Sequence, residues 1–372
     1  MKIVYVTTEY PEITANYGGI AVAFKNEVDA LRQRGHNVEV ILIASNFLHN
    51  VKIHPYIFIF HFPTKGKMKG LRGRIKLTKF LNRRYDKNTI IVTSDFGGIL
   101  PFRIKPFKIT QLHGSVTLNL FHQKKKMKKL LFLLEFFNIF NSDKIRAVSE
   151  SVLNDSRKIF PLIKKIPATI IPNGIKGFDN AVDEHETSHE NKTNVIFIGK
   201  LSEIKGVEFL GTIINRIHEL LPKVKFTLIG HDEIKNGRSN KNALLNKLKF
   251  PELVTFYDRI ANNQMGQYLR KSDVLILPSK TETFSIVVIE AFSCNVPVVA
   301  FNVGGLSELI DDGINGFLIQ PFDIDLFIAK LHAILTQKSE KLNMGEEAYL
   351  KYIRKFKIET CINRLETFYS EL

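Results

Sequence analysis

The chain has 372 residues, 44% of them hydrophobic, and its 53 Lys and Arg outweigh 37 Asp and Glu for a formal net charge of +16. That length and apolar content exclude a disordered or fibrous chain and suffice for about two domains of roughly 150–200 residues each. Cys294 and Cys361 lack C-x-x-C spacing and a neighbouring His, which excludes a disulfide framework and a thiolate metal site and fits a reducing compartment.

Met1 to Glu9 holds too short an apolar run for a signal peptide, and no later segment approaches the ~18 apolar residues of a membrane span, so the expectation is a cytosolic protein. Ile3–Val6 reads as a first strand, Gly18-Gly19 as the turn after it, Ile20–Arg34 as a helix and Val38–Ile43 as a second strand. Apolar runs at Ile90–Thr93, Lys108–Leu112 and Thr169–Ile171 continue the rhythm. A polar stretch across residues 176–193 has almost nothing to bury and reads as a linker. The rhythm restarts with Val195–Ile198, a helix from about Lys205 to Leu221, then strands at Lys225–Ile229, Val274–Leu277 and Val296–Ala300. Short apolar strands alternating with helical patterns predict an α/β chain of two doubly wound, Rossmann-like parallel-sheet domains, 1–175 and 194–350. A helix over 351–372 is expected to pack back on the first domain. Ligands in such sheets bind beyond the carboxyl ends of the strands, so the cleft between the domains is the expected site.

Split by domain, the charge becomes informative. Residues 1–180 carry 30 Lys and Arg against 12 Asp and Glu, a net +18, and the remainder carries −2. The asymmetry predicts an anionic partner for the first domain.

The richest segment runs from Leu277 to Ala300 and on to Gly304-Gly305. A strand ends at Leu277, a loop carries Glu282, and a helix expected from about Thr283 to Ser293 carries Glu290. Eight residues separate the two glutamates, roughly 12 Å if helical rise applies throughout, which matches a diphosphate with a sugar at one end and a ribose at the other. The N–H groups near Phe284, Ser285 and Ile286 then offer an anion site between them. The bland alternative is a helix-dipole partner for Glu282 and a solvated charge for Glu290.

Pro-Ser-x-x-Glu-x-Phe ending in Glu290-Ala291, then Pro-Val-Val-Ala and Gly-Gly, resembles the donor-site signature of the retaining GT-B glycosyltransferases of family four. The resemblance extends through Gly18-Gly19, His113-Gly114, Ala147-Val-Ser-Glu150, Ile171-Pro-Asn-Gly174, Gly199-Lys-Leu-Ser-x-x-Lys205-Gly206 and the stretch from Asp311 to Leu318. It implies a GT-B fold and a nucleotide-diphosphate sugar, UDP- or GDP-linked, as donor with no cofactor. Glu282 would contact donor-sugar hydroxyls, Glu290 the ribose, Lys200 and Lys205 the diphosphate, and His113 the sugar near its anomeric centre. A lysine beside the departing diphosphate stabilises charge that grows as the glycosidic bond breaks. Gly18 and Gly19 would admit phosphate or acceptor close to the backbone, and Arg259 and Ile260 would line the base pocket. The chain departs from the family pattern at Thr283, Ser285 and Asp258, at Lys176, and at Lys200, which keeps the charge of the usual Arg without its bidentate fork.

Asp323-Ile-Asp325 imitates the D-x-D of metal-using transferases but follows Pro321-Phe322 at a helix start, where aspartate caps. The expectation is therefore metal-independent chemistry, and by analogy retention through a front-face displacement. The acceptor is expected to be a glycan or a lipid-linked one in cell-surface polysaccharide assembly, met at the inner face of an anionic membrane. Lys65 to Lys79 and Lys124 to Lys129 are the basic clusters behind that expectation; Leu130 to Phe140, which follows the second, reads either as an interfacial helix or as an ordinary core helix. A nucleotide-sugar epimerase of similar fold is the alternative activity. Nucleic acid is not an expected partner, because no base-reading motif accompanies the lysines.

Overall fold

The computed structural model describes residues 2–11, 13–14, 18–44, 51–61, 69–95, 98–122, 129–178, 193–235 and 237–372. Most of the expected linker, residues 179–192, lies outside them, as do Lys65, Lys67, Lys124, Lys125, Lys126 and Lys128 of the basic clusters. The chain divides into two compact units, residues 1–174 with 358–372 and residues 175–357.

The first unit is built on β1 (Lys2–Thr7), α1 (Gly19–Gln33), β2 (Asn37–Ala44), β3 (Val51–His54), β4 (Ile57–His61), α2 (Lys69–Arg84), β5 (Thr89–Ser94) and β6 (Phe107–Leu112). It continues through α3 (Val116–His122), α4 (Lys129–Phe140), β7 (Lys144–Ala147), α5 (Glu150–Ile159) and β8 (Ala168–Ile170). Eight strands lie in the order β3-β4-β2-β1-β5-β6-β7-β8, all parallel except the edge strand β3. β1 and β5 are buried along nearly their whole length, as central strands covered on both faces must be. One core layer packs Phe24, Val28 and Leu31 of α1 on the sheet and the other packs Leu77 and Leu81 of α2.

The second unit contains β9 (Asn194–Ile198), α6 (Val207–Leu220), β10 (Lys225–Ile229), a two-stranded hairpin of β11 (Ile234–Lys235) and β12 (Arg238–Ser239), α7 (Asn240–Leu245), β13 (Val254–Tyr257), α8 (Asn262–Arg270) and β14 (Val274–Leu277). It is completed by α9 (Ile286–Phe292), β15 (Val298–Phe301), α10 (Leu306–Leu309), β16 (Gly316–Ile319), α11 (Ile324–Thr336) and α12 (Lys338–Lys351). Its six parallel strands run β13-β10-β9-β14-β15-β16. That is the 3-2-1-4-5-6 order of a dinucleotide fold, with its switch point between β9 and β14. The unit runs to Lys357, beyond the boundary at 350 read from the sequence, because Tyr352 and Phe356 belong to its core. The final helix α13 (Ile358–Ser370) belongs to the first unit and buries Ile362 and Leu365 there.

Candidate functional site

In the second unit the loops leaving β9 and β14 are held together at the switch point. Gly206 takes a left-handed backbone with φ 73°, and a Cβ on it would stand 1.8 Å from the Pro278 carbonyl oxygen. Only glycine allows that approach. Lys280 N also donates to Ile204 O at 2.8 Å. The clamp brings Lys205, at the end of a short turn over Glu203–Lys205, against Glu282. Lys205 Nζ lies 2.7 Å from Glu282 Oε1, and Ser279 Oγ donates to the same oxygen at 2.9 Å. From the third side, Gly304 sits at φ 55° with the Glu282 carbonyl 1.6 Å from where its Cβ would be, and Gly305 N donates to that carbonyl at 3.3 Å. Glu282 is thus buried and fixed by loops at the carboxyl ends of three strands, β9, β14 and β15.

Helix α9 begins only at Ile286, with Ser285 as an extended N-cap that makes no side-chain capping bond. The helical-rise distance between Glu282 and Glu290 therefore does not apply, since residues 283–285 are not helical. Phe284 turns its ring edge-on to Phe356, with centroids 6.1 Å apart. Glu290 keeps part of its surface open, yet burial of its carboxyl pushes it up to about 7, and that carboxyl has no hydrogen-bond or ion-pair partner among the described residues.

Lys200 is not drawn into this cluster; its Nζ pairs with Glu233 Oε1 at 2.6 Å on an exposed surface. Arg259 is exposed, Ile260 packs on the unit's core, and the neighbouring Asp258 faces His231 Nδ1 at 3.0 Å. Asp323 caps α11 by accepting from Leu326 N at 2.9 Å, and Asp325 pairs with Arg216. Among the described residues no group of three or more His, Cys, Asp or Glu is arranged to hold a metal ion.

In the first unit, His113 follows β6 and is buried. Asp95, at the end of β5, accepts from His113 N at 3.1 Å and Gly114 N at 3.0 Å, where Gly114 turns at φ 109°. Phe24 meets the imidazole edge-on at 5.6 Å, and burial, with the nearby Arg146 cation, pushes the ring down to about 3. It is neutral at physiological pH. Nδ1 is 3.5 Å from Asn173 Nδ2, while the buried Nε2 has no partner among the described residues. An amide donating to Nδ1 assigns the proton to Nε2 and leaves that N–H as an unused donor.

Gly18 N already donates to Glu9 Oε2 at 2.9 Å, and Gly19 opens α1. Sequence reasoning missed Asp95, whose only signal is a polar residue just past a buried strand, and quoted Ser279 within the Pro-Ser-x-x-Glu motif without giving it a role.

Residues 179–351 match the family model for glycosyl transferases group 1, and residues 17–176 match that for glycosyltransferase family 4. Between them the two matches span most of the chain and support a group 1 glycosyltransferase family. Over its full length it is 27% identical to an uncharacterized glycosyltransferase of Methanocaldococcus jannaschii, of which it covers 99%. Its fold matches sucrose-phosphate synthase from Thermosynechococcus elongatus at 18% identity, with a TM-score of 0.81 over 100% of this chain and 98% of the other. It also matches Anabaena HepE in complex with UDP-glucose at 18% identity, with a TM-score of 0.75 over the whole of both chains. The fold is GT-B, and the activity class is glycosyl transfer. Both family models describe transferases, so the epimerase alternative is not favoured.

Proposed function

We propose that this glycosyltransferase takes a hexosyl-type residue from a nucleotide-diphosphate sugar, UDP- or GDP-linked, and passes it with retention, and without a metal ion, to a glycan or lipid-linked acceptor of cell-surface polysaccharide. The observation that carries the reading is the Lys205–Glu282–Ser279 cluster, held by glycine contacts at the switch point of the second unit's sheet. The UDP-glucose bound by a protein of matching fold supports the donor class.

In this reading Lys205 leaves Glu282 for the diphosphate when the donor enters. The ammonium then offsets the charge that builds on the leaving phosphate, the task a metal ion performs elsewhere. Glu282, released from the lysine but still held by Ser279, accepts from sugar hydroxyls. Glu290 has an unoccupied carboxylate for the ribose hydroxyls, with Arg259 and Ile260 near the base. Lys200 reaches the diphosphate only by giving up Glu233, which makes its part the smaller one. His113 Nε2–H supplies a neutral donor to a sugar oxygen, and Gly18 and Gly19 lie on the acceptor side. Retention follows if the departing phosphate oxygen takes the proton of the attacking hydroxyl on the same face of the sugar.

The test is a panel of UDP- and GDP-sugars read by nucleotide release in the presence of EDTA. Glu282→Ala is expected to lower kcat and sugar discrimination, and Glu290→Ala to weaken nucleotide affinity, each by about 1–3 kcal/mol for a lost charged hydrogen bond. Lys205→Ala is expected to lower turnover by orders of magnitude. Wild-type kinetics in all three variants would overturn the assignment; loss of activity in EDTA, restored by a divalent cation, would overturn its metal independence.

A further inference from the structure

Two helices of the first unit present unusual outer faces. α2 carries no acidic residue at all, and Arg72, Lys76, Lys79 and Arg83 are exposed on it. Their spacing places all four on one stripe, while Leu77 and Leu81 point the other way into the core. α4 does the same with apolar groups: Leu130 is 67% exposed, Leu133 48%, Phe137 43% and Phe140 43%. These again form a single stripe, opposite the buried Glu135, Asn138 and Ile139. Of the two readings of Leu130 to Phe140 set out above, an ordinary core helix does not fit, because Phe132 and Phe136 pack on the buried Phe160 while Leu130, Leu133, Phe137 and Phe140 are left exposed along one stripe. Leu162, in the turn packed beside α4, is exposed too, followed by exposed Lys164 and Lys165.

Both stripes belong to the same side of the first unit's sheet. Leu100 shares a core layer with Leu77 and Leu81 of α2, and its N–H donates at 2.8 Å to Asn138 Oδ1 of α4. The connections β4 to β5 and β6 to β7 advance across the sheet in one direction, so right-handed crossovers put α2 and α4 on one face.

We infer that the first unit docks on an anionic lipid bilayer through this α2/α4 face, with the arginines and lysines of α2 on the headgroups and Leu130, Leu133, Phe137 and Phe140 of α4 in the acyl boundary. An anionic bilayer alone matches both stripes, supplying negative charge at its surface and hydrocarbon a few ångströms below. A nucleic acid would satisfy the cations but leave the leucines and phenylalanines in water. A second copy of this chain would cover the apolar stripe but set two rows of cations against each other. No described helix is long and apolar enough to cross a membrane, so the docking is peripheral. The inference stands independently of the donor-site reading.

Vesicle sedimentation of the full-length protein tests it without turnover. Vesicles of phosphatidylglycerol and phosphatidylcholine are compared with phosphatidylcholine alone, at low and moderate salt. The wild type is expected to pellet with the anionic vesicles, less so at the higher salt, and to stay in solution with neutral ones. R72E/K76E/K79E is expected to weaken that binding at least tenfold, and L130S/L133S/F137S at least severalfold, both with unchanged far-ultraviolet circular dichroism. Because all six positions are exposed, the folded state tolerates the changes; if one triple variant misfolds, the other still decides. Recovery in the supernatant under every condition overturns the inference. So does binding that neither variant weakens, or tighter retention by duplex DNA than by anionic vesicles at equal salt.

Discussion

At the residue scale, the site rests on groups whose burial and partners set their charge. Glu290 titrates near 7 because its carboxyl is buried without a compensating cation. In the role proposed for it, ribose hydroxyls would donate to its ionised form, so nucleotide affinity is expected to rise between pH 6 and pH 8. Calorimetric titration of the nucleoside diphosphate across that range checks this; Glu290→Gln should bind more weakly and lose the pH dependence. Asp95 is the residue we would add to the site, as a positioning group. Its carboxyl is raised to about 7, chiefly by burial, against the lowering effect of the N–H groups of His113 and Gly114. An Asn there would keep one acceptor and turn its amide N–H₂ against the other donor. Asp95→Asn is therefore expected to reduce kcat at least tenfold with little change in nucleotide affinity, because it disturbs only the loop that aims His113. The sign of its stability effect also follows. A carboxyl raised from 3.8 to about 7 binds more protons in the folded than in the unfolded state, so it makes stability fall as pH rises through that window. The Asn variant should lose that slope. The places of Lys205, Glu282 and His113 in the fold were legible because each follows a strand in a recognisable turn, and that of Glu290 because it lies on the helix after β14. Asp95 was not, since its contacts depend on which neighbouring loop it reaches, and Ser279 was legible only as a member of the Pro-Ser-x-x-Glu motif, without its bond to Glu282.

At the scale of elements, the central strands were legible because they are buried on both faces and therefore continuously apolar, as in Val195–Ile198 and Val274–Leu277. The edge pair β3 and β4 escaped, being short and partly exposed, as did β7, where Arg146 interrupts an apolar run. That arginine is buried because Glu27 of α1 meets it with two hydrogen bonds, at 2.6 and 2.8 Å, a pairing no local pattern announces. The start of α9 was placed too early because Thr283 to Ser285 carry no signal that separates an extended loop from a first helical turn. Lys108 gives a second case of a charge inside a strand. Its Nζ donates to Leu100 O and Asn138 O, both at 2.6 Å, and so ties α4 to the segment before β6. Burial lowers it from 10.5 to about 7. The folded state then binds fewer protons than the unfolded one between those values, and stability rises with pH across that window. Lys108→Met is expected to melt several degrees lower than the wild type at pH 7, because two buried carbonyls lose their donor. The gap should widen at pH 9, where the wild type gains and the variant does not; thermal denaturation at the two pH values checks both points.

At the scale of the whole molecule, the chain leaves the first unit after Gly174 and returns to it at Ile358, so the last helix completes a core that the first 174 residues leave open. Ile358, Ile362, Leu365, Phe368 and Tyr369 of α13 are all buried against residues of β1, α1 and β2. Five such side chains at about 1.5–3 kcal/mol each amount to roughly 10 kcal/mol. That equals the ~5–15 kcal/mol net stability of an ordinary domain. The helix also covers polar groups: Tyr369 OH lies 3.2 Å from Tyr5 OH, which donates to Glu27 Oε2 at 3.1 Å. Removing it would expose the buried Arg146–Glu27 pair from one side. A chain ending at Lys357 is therefore expected to lose cooperative folding of the first unit while the second keeps its own separate core. Hydrogen exchange reads the two apart. Amides of β1, β2 and β5 should lose protection by orders of magnitude, and those of β9, β10 and β14 should keep it. Tyr369→Phe in the full chain, which removes one hydroxyl and no packing, should cost about 1 kcal/mol and leave both units protected. If the truncated chain kept full protection in β1 and β5, α13 would be an accessory to the first unit rather than part of its core.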